Sequence, residues 1–195
     1  MRGINMIDLK SYDIFLQNIK SLKELSKDDS DINDIQYMTE SQIQAVDFDR
    51  VKQKYTNGLG LSEECAASAD ALLSSSQGTT FVEFKNGKVN NRNIKDKARD
   101  SLLILCDILD TTISYTRDHI DFIVVYNQQK NPLPNQVRKQ KVQDSFSREE
   151  IGKFFSKKAG QEFILFDLER YKGMYFRKVH TYSAEEFEKY LESAL

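Results

Sequence analysis

The chain has 195 residues, with 28 Lys+Arg against 30 Asp+Glu and a formal net charge of −2. That length supports one domain with a real core, built from 39% apolar residues that include 12 Phe and 9 Tyr. The near-zero charge argues against a strongly basic, non-specific nucleic-acid binder, two cysteines are too few for a disulfide scaffold and suit a reducing cytosol, and no apolar run is long enough to span a bilayer.

Ile14, Phe15, Ile19, Leu22 and Leu25 recur at helical spacing and predict an amphipathic helix over about 11–26. Lys27–Asp34 reads as an acidic, polar linker. Thr39 with Gln42 is a capping-box pattern for a helix over about 40–55 with Ile43, Val46 and Val51 inward, ended by Asn57-Gly58 and Gly60. Leu61–Ala67 suggests a short helical turn carrying Glu63 and Glu64. Residues 69–74 and 79–84 read as the two strands of a hairpin. Asn90–Asn93 caps a helix over about 93–110, whose inner face is Ile94, Ala98, Leu102, Leu105 and Leu109. Ile120–Tyr126 is near-continuously apolar, as expected of a strand buried on both faces. Asn127–Gln143 reads as a loop. Ser147 with Glu150 opens a helix to about Lys158, Phe163–Leu168 and Met174–Val179 suggest a second hairpin, and Ser183 with Glu186 opens a last helix with Phe187, Tyr190 and Leu191 inward. The order predicts an α/β (α+β) protein: a mixed central sheet flanked by helices. Residues 1–60 would be an N-terminal helical segment and 61–195 the core, together one compact domain.

The first hairpin carries the chemistry. Strand side chains alternate, so Glu83 and Lys85 share a face that Val82 and Phe84 avoid. A two-residue turn at Ser76-Gln77 places Asp70 opposite Glu83, and one at Gln77-Gly78 places it opposite Lys85. Either register puts Asp70 on the face of both, with opposed Cβ atoms about 5 Å apart. Two adjacent carboxylates repel unless a cation neutralises them, and Mg²⁺ takes one or two carboxylates together with water and phosphate oxygens. The backbone carbonyl of Phe84, between Glu83 and Lys85, is a further candidate ligand.

Asp70 followed by Glu83-Phe84-Lys85 on successive strands, then a helix and a buried strand, resembles the PD-(D/E)XK nuclease superfamily over about residues 61–127. The wider chain, through residues 81–87 and Thr181-Tyr182-Ser183, is similar to proteins of low-GC bacteria. The resemblance implies a restriction-endonuclease-like core: a helix, a three-stranded antiparallel meander, a helix and a further strand. It implies Asp70 and Glu83 as catalytic metal ligands for Mg²⁺ or Mn²⁺ and Lys85 as the catalytic lysine, with Glu63 or Glu64 placed to add a carboxylate from the preceding helical turn. The chain departs from the pattern in carrying Ala69 rather than proline before Asp70, and in showing only two evident strands before the helix.

A plainer reading stands beside this one. Asp70, Glu83 and Lys85 form an exposed cross-strand ion-pair set of roughly 0.2–1 kcal/mol per pair, with no chemistry. Phe81, on the same face, argues against full solvation. Lys95, Lys97 and Arg99 either offer cations to a phosphate backbone or form a solvated face with Asp96 and Asp100. Lys97 alternatively reaches the motif strands, where Asp100 and Ser101 hydrogen-bond. Lys130, Arg138, Lys139 and Lys141 make a basic loop that either embraces nucleic acid or is simply exposed. Cys65, Cys106, His119 and His180 lack metal-site spacing. No Walker A, G-x-G-x-x-G or G-x-S-x-G pattern is present. The resulting expectation is a cytoplasmic Mg²⁺- or Mn²⁺-dependent nuclease acting on DNA or RNA. The alternative is an inactive nuclease-like fold that binds a protein partner as an immunity or regulatory module.

Overall fold

A computed structural model of the chain describes residues 9–75, 78–132 and 164–194. Its centre is the hairpin of β5 (Ala71–Ser75) and β6 (Gly78–Lys85), paired antiparallel with Ala71 opposite Val82. This is the register in which Asp70, one residue before β5, comes opposite Glu83. On the far side of β6 lies β7 (Ile120–Tyr126), parallel to it, and beyond that β8 (Lys178–Ser183), parallel to β7. The parallel step from β6 to β7 is spanned by helix Asn91–Ile108 and the short helix Ile113–His119, the latter unforeseen from the sequence. Two strands from the first 60 residues, β1 (Ile19–Ser21) and β4 (Gln44–Asp47), complete a mixed six-stranded sheet in the order β1-β4-β5-β6-β7-β8. β4 is the third antiparallel strand before the long helix. A separate two-stranded ribbon, β2 (Lys27–Asp28) with β3 (Gln36–Tyr37), replaces the expected linker.

The helices, numbered in chain order, are α1 (Asp13–Leu16), α2 (Leu22–Leu25), α3 (Phe48–Gly58), α4 (Asn91–Ile108), α5 (Ile113–His119) and α6 (Ala184–Ala194). They cover both faces of the sheet. Phe81, Phe122 and Val124 meet Phe48, Val51 and the stripe Ile94, Ala98, Leu102, Leu105 and Leu109 on one face. Val82, Phe84, Ile123 and Val125 meet Leu22, Phe187 and Leu191 on the other. β7 is buried along its whole length, which accounts for its unbroken apolar run. α4 starts where Asn90 accepts from the Arg92 and Asn93 amides, and α6 where Ser183 and Glu186 exchange both capping bonds.

Three sequence expectations are corrected. The predicted helix 11–26 is two single turns separated by β1, because its apolar residues serve opposite sides of the sheet. Phe15 enters one core and Leu22 the other, and no single helix edge reaches both. Ser21 and Glu24 form the capping box that restarts the chain as α2. The predicted helix 40–55 begins as a strand: Ala45 and Val46 face opposite cores, a period of two. The helix starts only after Asp47, whose carboxylate caps the Arg50 amide at 3.1 Å, while the Thr39 hydroxyl bonds Glu188 instead of closing a capping box. The second hairpin does not form. Ile164, Leu168, Tyr171 and Phe176 all enter one core rather than alternating, and Phe166 and Asp167 take positive φ of 61° and 56°. Residues 169–171 form a 3₁₀ turn, and the strand that follows is β8. The predicted helix to Lys158, and Arg138, Lys139 and Lys141 of the basic loop, lie outside the described residues.

Candidate active site

Glu83 sits near the end of β6 on the α4 side of the sheet and is fully buried. Lys85, two residues on, folds back so that its Nζ lies 2.7 Å from Glu83 Oε1. Lys97 arrives from α4, one turn after Ile94 and beside Ala98, which anchor that helix in the core. Its Nζ lies 2.8 Å from Glu83 Oε1, 3.1 Å from Glu83 Oε2 and 3.1 Å from Asp70 Oδ1. Asp70 turns its other oxygen to the sheet, where Oδ2 accepts the Phe84 amide at 2.6 Å. Two carboxylates and two ammonium groups thus form one cluster.

The approach to Asp70 is held by the same helix. Asp100 accepts the Ala67 amide at 2.9 Å, and the Ser101 hydroxyl accepts the Ala69 amide at 2.7 Å. These bonds substitute for a ladder partner where β5 has not yet begun, and they set the backbone that presents Asp70. Asp49, in the first turn of α3, accepts the Ser68 hydroxyl and adds negative charge felt by both Asp70 and Lys97.

Electrostatics follow burial. Removal from water pushes the Glu83 carboxyl up to about 7, with the Asp70 charge adding to the rise and Lys97 and Lys85 opposing it. Burial also raises Asp70, against Lys97 and the Phe84 amide. Burial works against the Lys97 ammonium, but the two carboxylates outweigh it and hold its pKa above the ordinary lysine value.

The cluster is not sealed. Asp70 and Lys85 line a cleft of about 380 Å³, walled by Lys27, Asp28, Asn86 and Lys88. Asn86 fixes one wall. Its amide nitrogen donates to Asp28 Oδ2 at 2.8 Å and Gln36 Oε1 at 2.9 Å, tying the β2–β3 ribbon to the end of β6, and its oxygen accepts from Asn127 at 2.8 Å.

The structure therefore brings Asp70, Glu83 and Lys85 together. Lys97, expected among phosphate-binding cations or reaching the motif strands, does the latter, as do Asp100 and Ser101. Arg99 is half exposed and paired with Asp96, and Lys95 pairs with Asp167 at 3.2 Å, so both lie in local ion pairs. Glu63 and Glu64 stand on an exposed 3₁₀ turn, and no ion pair or hydrogen bond joins their carboxylates to the cluster among the described residues. The acid from the preceding helix that bears on the site is Asp49. Asp49 falls within the helix expected over 40–55 but carries no motif signal of its own, whereas the turn 61–67 directly before the motif strand draws attention to Glu63 and Glu64.

Among the described residues no three His, Cys, Asp or Glu side chains group as a metal-ligand set. Asp70 and Glu83 nonetheless converge on a single cation, the Lys97 Nζ, at 3.1 and 2.8 Å. Two carboxylates that converge on one cation are the kind of donor set that would suit a divalent metal such as Mg²⁺. The Phe84 N–H points to the Asp70 edge of β6, and the carbonyl of a strand residue shares the edge of its N–H, so that oxygen is on the correct side to join them. Comparison with protein-family models, curated proteins and solved structures finds no match.

Proposed function

We propose that the chain is a metal-dependent nuclease of the PD-(D/E)XK type, hydrolysing phosphodiester bonds of DNA or RNA. The observation that carries this reading is the convergence of Asp70, Glu83 and Lys85 beside an open cleft, with a fully buried carboxylate among them. Charge buried without need is costly, and perturbed groups beside a cleft mark functional sites. The element order lends support in part: three antiparallel strands β4-β5-β6, the long helix α4 and the parallel strand β7 follow the implied core, with the difference that α3 is inserted between β4 and β5 instead of preceding all three strands. Two unpaired cysteines, one exposed and one buried, suit a reducing cytoplasm.

On this reading Asp70 and Glu83 hold Mg²⁺ or Mn²⁺, with the Phe84 carbonyl as a further ligand. The metal, when bound, polarises water and offsets charge on the phosphate. The Phe84 amide keeps Asp70 from rotating. Lys85, about a fifth exposed at the cleft, places its ammonium where a phosphate oxygen or an attacking water is met. Lys27 and Lys88 on the cleft wall supply further positive charge for a backbone.

The test is incubation with single- and double-stranded DNA and RNA in Mn²⁺ or Mg²⁺. Cleavage that EDTA abolishes and Lys85→Ala suppresses at least about 100-fold, with the fold intact by circular dichroism, is the expected result. Undiminished cleavage by Lys85→Ala would show that the active site lies elsewhere. A second reading, an inactive nuclease-like module for a protein partner, draws on the neutralisation of both carboxylates by Lys85 and Lys97. It predicts no cleavage of any substrate.

A further inference from the structure

We propose that Lys97 is a built-in counter-ion that competes with the divalent metal for Asp70 and Glu83, so that metal enters as the Lys97 ammonium leaves. This inference rests on the metal reading above and goes beyond it, since it concerns what holds the carboxylates together when no metal is bound.

Three features of the cluster point to it. The Lys97 Nζ contacts both carboxylates at 2.8–3.1 Å, which places it in the space a shared ion needs. An ammonium and a divalent ion cannot share that space, and the ion's larger charge repels the ammonium at short range. The second feature is burial. Glu83 is inaccessible and Asp70 only 18% exposed at its side chain, so an empty pair would leave two repelling carboxylates poorly solvated, and a resident cation answers that cost. The third is mechanical. α4 is locked by Ile94 and Ala98 in the core and by the Asp100 and Ser101 bonds to residues 67 and 69, so the helix holds Asp70 in place. The lysine stem is flexible, and its head is able to withdraw without disturbing that scaffold. Asp49 supplies a nearby negative charge that keeps a displaced ammonium close. By contrast Lys85 extends from the strand end to a single carboxylate oxygen and does not bridge the pair.

The test is Mn²⁺ titration by calorimetry and by Mn²⁺ electron paramagnetic resonance on the full chain and on Lys97→Met, which keeps the length of the stem and removes the charge. Lys97→Met is expected to bind Mn²⁺ roughly tenfold or more tightly than the wild type, and to gain more thermal stability from it. Metal binding by the variant alone would also support the inference, while removing the metal from the wild-type function. Equal or weaker binding by the variant overturns the competition and leaves the metal reading standing. No binding by either protein overturns both. Should Lys97→Met fail to fold without metal, refolding in Mn²⁺ is expected to recover it, and failure to do so counts against the inference.

Discussion

Glu83→Gln is the substitution that reads the cluster most directly. Glutamine keeps the shape of the protonated carboxyl and cannot ionise. In the wild type the Glu83 carboxyl titrates near 4.5 when the chain is unfolded and at about 7 in the fold. At 1.36 kcal/mol per pH unit, the folded chain binds that proton about 3 kcal/mol more tightly than the unfolded chain. Between these two values the folded state holds the extra proton, so the contribution of Glu83 to stability falls as pH rises from about 4.5 to about 7 and stays at its low value above that. The variant lacks this dependence. Denaturant unfolding followed across pH 4 to 9 is therefore expected to show Glu83→Gln gaining on the wild type by about 1–3 kcal/mol at high pH, with the gap closing below pH 5. The lower end of that range allows for the ion pairs that Gln gives up with Lys85 and Lys97. A difference that does not change with pH would refute the account, because it would mean that Glu83 has the same proton affinity folded and unfolded. Saturating Mn²⁺ supplies the converse. It is expected to stabilise the wild type, narrow the high-pH gap and leave Glu83→Gln less affected.

Other substitutions address the supports. Ser101→Ala leaves the buried Ala69 amide without its 2.7 Å acceptor and is expected to cost about 1–3 kcal/mol in urea midpoint experiments, together with weaker Mn²⁺ binding through a less constrained Asp70. Asn86→Ala removes three side-chain bonds joining the β2–β3 ribbon and Asn127 to the cleft, so amide exchange in residues 27–37 is expected to accelerate while the β6–β7 ladder keeps its protection. Neutralising Lys139 and Lys141 is expected to weaken nucleic-acid binding alike for all sequences and to lower the salt slope by roughly one unit per lost phosphate contact, measured by fluorescence anisotropy.

The parts of the fold legible in the sequence are those in which a single local rule decides. α4 announces itself by a five-member apolar stripe and an Asn cap, β7 by an unbroken apolar run, and α6 by a capping box that forms both of its bonds. The hairpin sequence allows two registers, both of which put Asp70 on the face shared by Glu83 and Lys85, and the observed pairing is the one that sets Asp70 opposite Glu83. What escaped was everything decided by which face of the sheet a residue meets. Phe15 and Leu22 read as one helical stripe, yet serve opposite cores. Ile43, Val46 and Val51 fit a helical period, although Val46 belongs to a strand and Val51 to the helix after it. Asp49 sits twenty-one residues before Asp70 and reaches the cluster only through the packing of α3 on the sheet, while Glu63 and Glu64 are nearer in sequence and stay on an exposed turn. The bridging of Lys97 was one of several options for a basic residue on α4, because spacing alone does not say how a helix rotates over the strands beneath it.

The anatomy of the cluster bears on why such a group is kept. Asp70 is fixed by the Phe84 amide, and the backbone before it by Asp100 and Ser101, so its carboxylate is held in place. The balancing charge is carried by two lysines, side chains with long stems and point charges, one of which, Lys85, lines a cleft that reaches water. A purely structural ion network gains from the opposite arrangement, since a planar, bidentate arginine holds a buried carboxylate better. The chain uses that solution elsewhere, where Arg177 grips both oxygens of Asp121 at 2.9 and 2.8 Å. A fixed Asp70 paired with movable lysines suits a site whose cation is exchanged. This arrangement also explains why neutralising Glu83 should stabilise the protein while removing its proposed activity, the trade expected where burial of charge serves chemistry rather than folding.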